Sequence, residues 1–271
     1  MENKKYLNIF DYITVKTGLK AAESNERMIM RFIDRLLEKW SVDEYIQQLN
    51  RNPDLFYDLL EIFTINETYF FREEKYFKLL KNVLLPDYKE NHQYPPIIWS
   101  AATSSGEEAI SLALLIKNTW GISCKGYKPV IASDIDVRTL NTLLKGSYGK
   151  NSFRNDGTIF HPLIKENSSQ NNSIVTINRE IIEMISVKPL NLILDDYEQI
   201  LLGKPDIILI CNVLIYMDLE TRNKIIDKAV KVLKPGGYII LSSSNTAFVE
   251  HPELELMHIE NCYFFKKVAG N

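Results

Sequence analysis

From residue 97 onward, short apolar runs alternate with longer amphipathic segments, and this alternation restricts the fold more than any other feature. IIWSA (97–101) precedes GEEAISLALLIKN, PVIASD (129–134) precedes DVRTLNTLLKG, and PDIILIC (205–211) precedes LETRNKIIDKAVKVL. The last of these helical segments stops at Lys234-Pro235-Gly236-Gly237. An apolar run without polar alternation reads as a strand covered on both faces, and a helix between successive strands is the crossover that parallel pairing needs. The expected class is therefore α/β, a doubly wound, mostly parallel sheet. YIILSSS and NCYFFKK close the chain as strands with no long helix between them, so the last strand is expected to run antiparallel.

Upstream, the texture is helical. NERMIMRFIDRLLEKW sets Met28, Phe32, Leu36 and Trp40 four apart, with Ile29, Ile33 and Leu37 alongside. Ser41 is positioned to cap VDEYIQQL, with Glu44 completing a capping box. Asn52 before Pro53 gives a cap and first-turn pair for NPDLFYDLLEIF. The chain thus reads as a small all-α domain over 1–81, a linker over 82–96 (NVLLPDYKENHQYPP) and an α/β domain over 97–271. NSSQNNS (167–173) reads as a polar surface loop.

Composition narrows the function classes. The formal net charge of −3 gives no global attraction to nucleic acid or membrane, so any electrostatic docking must be local. MENKKYLNIFDY has no apolar stretch followed by small residues, and no run approaches the roughly 20 apolar residues of a membrane span. Cys124, Cys211 and Cys262 show no C-x-x-C pairing, which argues against a disulfide framework or a zinc site. The expectation is a reduced, cytoplasmic, monomeric protein without metal.

An open α/β sheet binds its ligand beyond the carboxyl ends of its strands, where strand order reverses. Three predicted strand ends carry chemistry: ATSSGEE, the pair Asp134 and Asp136, and Asn212 with Tyr216. The first turn has one glycine, Gly106, where a dinucleotide fingerprint needs three. Glu107 and Glu108 would stabilise the helix dipole there, and they would repel a phosphate. A ligand bearing an ammonium suits the turn, and S-adenosylmethionine (SAM) has an ammonium and a sulfonium but no phosphate. Asp134 suits paired ribose hydroxyls; the alternative is a helix N-cap, which Asp136 fills better.

TINETYFFREEKYFKLL (64–80), IIWSAATSSGEEAISLAL, VIASDIDVRTL with KGSY, KPLNLI, ICNVLIYMD and LKPGGYIILSSS, taken together, resemble the CheR family. These are chemotaxis receptor methyltransferases that use SAM to esterify receptor glutamates, leaving S-adenosylhomocysteine. The resemblance covers roughly residues 20–267. It implies a Rossmann-like SAM-dependent methyltransferase fold in which Asn66, Thr68 and Arg72 touch the cofactor from the helical side. Glu108 would pair with the methionyl ammonium and Asp134 would hold the ribose. Asn191 and Leu192 would frame the adenine, and Cys211 and Asn212 would line the cofactor at the last strand end. Tyr216 would sit with Arg72 beside the methyl group and the incoming carboxylate. The partner would be the helical cytoplasmic region of a chemoreceptor, docked on Arg27, Arg31, Arg35 and Lys39, which recur every four residues along one face.

The chain also departs from the family pattern. Cys211 stands where the family usually has Arg, Ala109 and Ile110 replace a common Pro-Tyr, and Ser242 to Asn245 replace G-x-S-E. Residues 150–190 carry few of the motifs by which family members build a small inserted β-subdomain. Two other classes remain open: a SAM-binding or receptor-binding regulator without catalysis, and a nucleotide-dependent oxidoreductase, which ATSSGEE disfavours.

Overall fold

The computed structural model describes residues 2–21, 25–63, 67–121, 126–154, 158–246 and 249–268, with side chains from Lys5 on. The chain divides into two compact units, Met1–Glu67 with Val213–Ile225, and Thr68–Asn212 with Ile226–Asn271. The first division thus falls after Glu67, where the change in sequence texture predicts one at residue 81. No helix among the described residues is long and apolar enough to cross a membrane.

The smaller unit contains α1 (Glu2–Thr17), α2 (Glu26–Leu37), α3 (Val42–Arg51) and α4 (Pro53–Phe63). Ser41 caps α3 as its sequence requires: Glu44 N donates to Ser41 Oγ (3.3 Å) and Ser41 N donates to Glu44 Oε2 (2.8 Å). Asn52 Oδ1 accepts from Asp54 N (3.2 Å) at the start of α4. The core of this unit takes Ile9, Ile13, Ile29, Ile33, Tyr45, Leu49, Leu59 and Phe63. The inward row of α2 is therefore Ile29 and Ile33, while Met28 faces out at 52% exposure. Residues 213–225 join this unit through a 3₁₀ turn, Leu214–Tyr216. There Lys20 N donates to Tyr216 O (2.7 Å) and the Lys20 ammonium lies 3.1 Å from the Asp218 carboxylate.

The larger unit begins with α5 (Glu74–Leu79), a π-helical turn (Leu80–Leu84) and α6 (Leu85–Asn91), so that residues 82–91 of the expected linker are helical. Pro86 has no N–H to donate back along the helix, and a widened turn precedes it. Leu84 and Leu85 are buried, so this segment belongs to the core. The chain continues with β1 (Ile98–Ala101), α7 (Glu107–Trp120), β2 (Val130–Asp134), α8 (Val137–Lys145), β3 (Ser147–Tyr148), α9 (His161–Glu166), β4 (Ser168–Asn171) and β5 (Ile174–Ile177). Then come α10 (Arg179–Glu183), β6 (Ile185–Pro189), α11 (Tyr197–Leu201), β7 (Ile207–Ile210), α12 (Leu219–Val232), β8 (Tyr238–Leu241), α13 (Ser243–Thr246), β9 (Leu254–Ile259) and β10 (Cys262–Lys267).

The main sheet has the order β6-β2-β1-β7-β8-β10-β9. Strands β6, β2, β1, β7 and β8 run parallel, while β10 is antiparallel to β8 and β9 to β10. The chain winds outward from β1 to β6 and then restarts on the other side at β7. Strand order thus reverses between β1 and β7, and the ligand crevice of such a sheet lies at their carboxyl ends.

A second sheet, β3-β5-β4, is antiparallel. It corrects two expectations. NSSQNNS is not a loop but largely strand β4, turning through Asn172-Ser173 into β5, with Asn172 at φ 54. The inserted β-element that residues 150–190 left in doubt is present.

Candidate active site

The turn after β1 is sharply folded: Ala102, Ser104 and Gly106 have φ of 57, 53 and 93. At Gly106 a Cβ would lie 2.3 Å from Leu143 Cδ1, so only glycine allows α7 to start there. The two acids that open α7 then diverge. Glu107 is buried and accepts from Ser105 Oγ (2.7 Å) and Ser152 Oγ (2.8 Å), a structural role. Glu108 is half-buried and accepts from Ser100 Oγ (2.6 Å). Burial pushes its carboxyl up to about 7; the Ser100 bond and the Arg72 charge oppose this, and Glu73 adds to it.

Asp134 ends β2 beside this turn. Its carboxylate accepts from Ser104 N (2.7 Å) and Asp136 N (3.0 Å), and burial pushes it up to about 6. Asp136, not Asp134, caps α8, accepting from Arg138 N (2.8 Å). The helix-cap alternative for Asp134 therefore falls away. Leu190 N donates to Asp134 O (2.9 Å) and draws the turn after β6 to the same place. In that turn Asn191 Oδ1 accepts from Ile193 N (2.9 Å) and Leu194 N (3.2 Å), and Leu192 is buried.

Residues 68–73 bring an arginine to Glu108. Phe70 N donates to Ser152 O (2.9 Å) and Phe71 N to Ser111 Oγ (3.0 Å). The Phe71 ring stacks on Phe160 at 4.4 Å, and Phe70 packs against Tyr148 and Phe153 at 5.1 and 5.0 Å. Phe71 and Glu73 both adopt left-handed backbone (φ 55 and 56), a strained pair on either side of Arg72. The buried aromatics hold that strain in place. Thr68 and Arg72 are half-buried, and the Arg72 guanidinium lies 5.8 Å from the Tyr69 ring centroid.

At the end of β7, burial and the neighbouring Glu108 and Glu73 push the Cys211 thiol up, against the pull of Arg72. Asn212 takes left-handed backbone (φ 60) and donates its N–H to Ser242 Oγ (3.0 Å). The larger unit thus assembles Arg72, Glu108, Asp134, Asn191, Leu192, Cys211 and Asn212 around the reversal point. Asn66 lies outside the described residues, and Tyr216 belongs to the helical unit.

The structure adds residues the motifs did not single out. Glu73 accepts from Ser243 Oγ (3.5 Å) and acts on both Glu108 and Cys211. Ser100 holds Glu108; its signal was a hydroxyl inside an otherwise apolar strand. Three acids against one arginine, with no glycine-rich phosphate cradle, form a donor set that fits a cationic ligand carrying ribose hydroxyls.

The family model described as CheR methyltransferase, SAM binding domain, matches residues 66–262. Chemotaxis protein methyltransferases are similar over most of their length. The one from Vibrio parahaemolyticus is 27% identical over 91% of this chain and 90% of its own. That of Borreliella burgdorferi is 29% identical over 84% and 83%, and that of Escherichia coli K12 is 26% identical over 90% and 85%.

Proposed function

The chain belongs to the CheR methyltransferase family and is a SAM-dependent methyltransferase; we propose that it esterifies glutamate side chains of chemoreceptors. The observation that carries this reading is the Glu108 carboxyl, held by Ser100 at the strand-order reversal with Arg72 and Glu73 beside it.

When bound, SAM supplies an electrophilic methyl group on a cationic sulfur. Glu108 pairs with the methionyl ammonium, Asp134 accepts from the ribose hydroxyls, and Asn191 and Leu192 flank the adenine. Thr68, Cys211 and Asn212 line the remainder, as does Asn66 on the resemblance alone. Arg72 orients the acceptor carboxylate, and Tyr216 takes the same role on the resemblance alone. A carboxylate is already anionic at neutral pH, so no general base is required. Its obstacles are hydration and alignment, and alignment contributes on the order of 7–11 kcal/mol when the reacting atoms are held close. Arg72 serves alignment, since too firm a grip would stabilise the resting anion.

The helical unit supplies the docking face. Arg27, Arg31, Arg35 and Lys39 are all exposed, and none has a salt bridge among the described residues. Asp34, the acid nearest in sequence to Arg35, is occupied by Lys5 Nζ (2.7 Å) and Tyr6 OH (2.7 Å). An unneutralised basic row suits an acidic receptor helix.

Incubation with methyl-labelled SAM and a receptor cytoplasmic fragment, then mild base, tests the reading. Labelled methanol is the expected product, and base-stable label would show a different acceptor. The Cys211 thiol beside Glu108 favours one second reading, a SAM-binding regulator with weakened catalysis. It predicts SAM binding with little labelled methanol.

A further inference from the structure

The turn after β6 ties up nearly all of its backbone polar groups. Asp195 N donates to Asn191 O (3.1 Å), Asn191 N to Asp195 Oδ2 (2.7 Å), and Ile193 N and Leu194 N to Asn191 Oδ1 (2.9 and 3.2 Å). Its carbonyls are held from α12 and α11. Lys228 Nζ donates to Leu192 O (3.0 Å) and Ile193 O (2.9 Å), and Tyr197 OH donates to Leu192 O (2.6 Å). The Lys228 ammonium lies 4.4 Å from the Tyr197 ring centroid, and Tyr197 is itself buried against Trp99 of β1 at 5.0 Å. From 191 to 195, the Leu192 N–H is the amide left without a partner among the described residues.

Placing a half-buried ammonium on two carbonyls carries a desolvation cost that an apolar side chain would avoid. Burial indeed pulls the Lys228 amine below its ordinary value, against Asp195 and Asp196. The arrangement fixes the peptide planes on both sides of Leu192, one through Asp195 N on Asn191 O, the other through Lys228 and Tyr197 on Leu192 O.

We propose that Lys228 and Tyr197 are positioning residues for the cofactor's base, holding the Leu192 N–H as a preset donor to the unprotonated N1 of adenine. This rests on the reading of Asn191 and Leu192 as the adenine frame. A preset donor discriminates by hydrogen-bond polarity. Adenine N1 accepts a hydrogen bond, whereas hypoxanthine carries a proton at N1 and presents a donor to a donor.

The test compares the affinities of S-adenosylhomocysteine and S-inosylhomocysteine by calorimetry. The wild-type chain is expected to prefer the adenine compound by about tenfold or more. Lys228→Met should narrow the preference to about threefold or less, because the loosened turn can reorient its amide. Tyr197→Phe, which keeps the buried ring and loses only the bond to Leu192 O, should narrow it too and stands in if the first variant does not fold. Both affinities falling equally, with the ratio kept, would show that Lys228 merely staples the helix to the turn and would overturn the proposal. No preference in the wild type would instead overturn the adenine-frame reading, and the proposal with it.

Discussion

Replacing Glu108 by glutamine tests the proposed ammonium anchor directly, because the amide keeps the shape and can still accept from Ser100 Oγ while losing its charge. The folded carboxyl sits at about 7 against an ordinary 4.5. Between those pH values the folded, ligand-free chain holds a proton that the unfolded chain has released. Stability therefore falls as pH rises through that window and levels off above it. At 1.36 kcal/mol per pH unit the loss is about 3 kcal/mol, and nearer about 2 kcal/mol for a side chain that solvent partly reaches. Glu108→Gln has no such loss, so the ligand-free variant should melt roughly 5 °C higher than wild type at pH 8, with the two converging near pH 4.5. Asp134, raised in the same sense to about 6, is present in both and cancels in the difference. Ligand binding should go the other way. An ammonium bonded to a carboxylate is worth about 1.5–3 kcal/mol, so the variant should bind SAM roughly ten- to a hundredfold more weakly at pH 8. Wild-type affinity should rise with pH through about 7, and the variant's affinity should not follow it there. Thermal melts from pH 4.5 to 8.5 and calorimetry at pH 8 measure both arms. A variant that binds SAM as tightly as wild type at pH 8, or a melting difference that ignores pH, would refute the anchor.

Three further substitutions test the docking face, the role proposed for Tyr216 and the turn at Gly106. Arg31→Glu with Arg35→Glu should slow receptor methylation at low ionic strength, with SAM affinity unchanged by calorimetry; equal methylation rates would discard the docking face. Tyr216→Phe should lower kcat by roughly tenfold, the worth of one hydrogen bond to a charged group, with little change in SAM affinity. Gly106→Ala should cost about 1–3 kcal/mol in a urea or thermal melt, because φ is +93 and the new Cβ would press on Leu143; an unchanged melt would show that α8 gives way freely.

What could be read from the sequence and what could not separate along one line. The features fixed by neighbours in the chain were legible. Ser41 with Glu44, the Asp136 cap and the apolar runs of β1, β2 and β7 each depend on residues a few positions apart. Strand β4 was not legible, because its residues are half-buried to exposed and no alternation marks a face. Strand β6 is similar: ISVKP is an edge strand, partly exposed, that ends on proline. The stretch 82–96 misled through Pro86 and its charged residues, although the helix tolerates the proline by widening its turn just before it. Residues 213–225 join the helical unit through Lys20, about two hundred positions away, and no local pattern records such a contact.

The candidate site shows the same division in its chemistry. Glu108 and Asp134 announce themselves as acids at strand ends, and Arg72 as a cation in an aromatic run. Their settings do not, because the groups that hold them are mostly backbone. Ser104 N and Asp136 N fix the Asp134 carboxylate, and the Asn191–Asp195 turn closes on its own amides. A backbone donor has no letter of its own, so a sequence names the charged group and leaves its surroundings unstated. Burial then decides what that group does. Placed in water, Glu108 would be ionised well below neutrality. Half-buried and beside Glu73, its carboxyl is pushed up to about 7. On the proposed reading of Glu108 as the ammonium anchor, the raised carboxyl of ATSSGEE is a cost of the empty turn that a positively charged ligand would relieve and a phosphate would not.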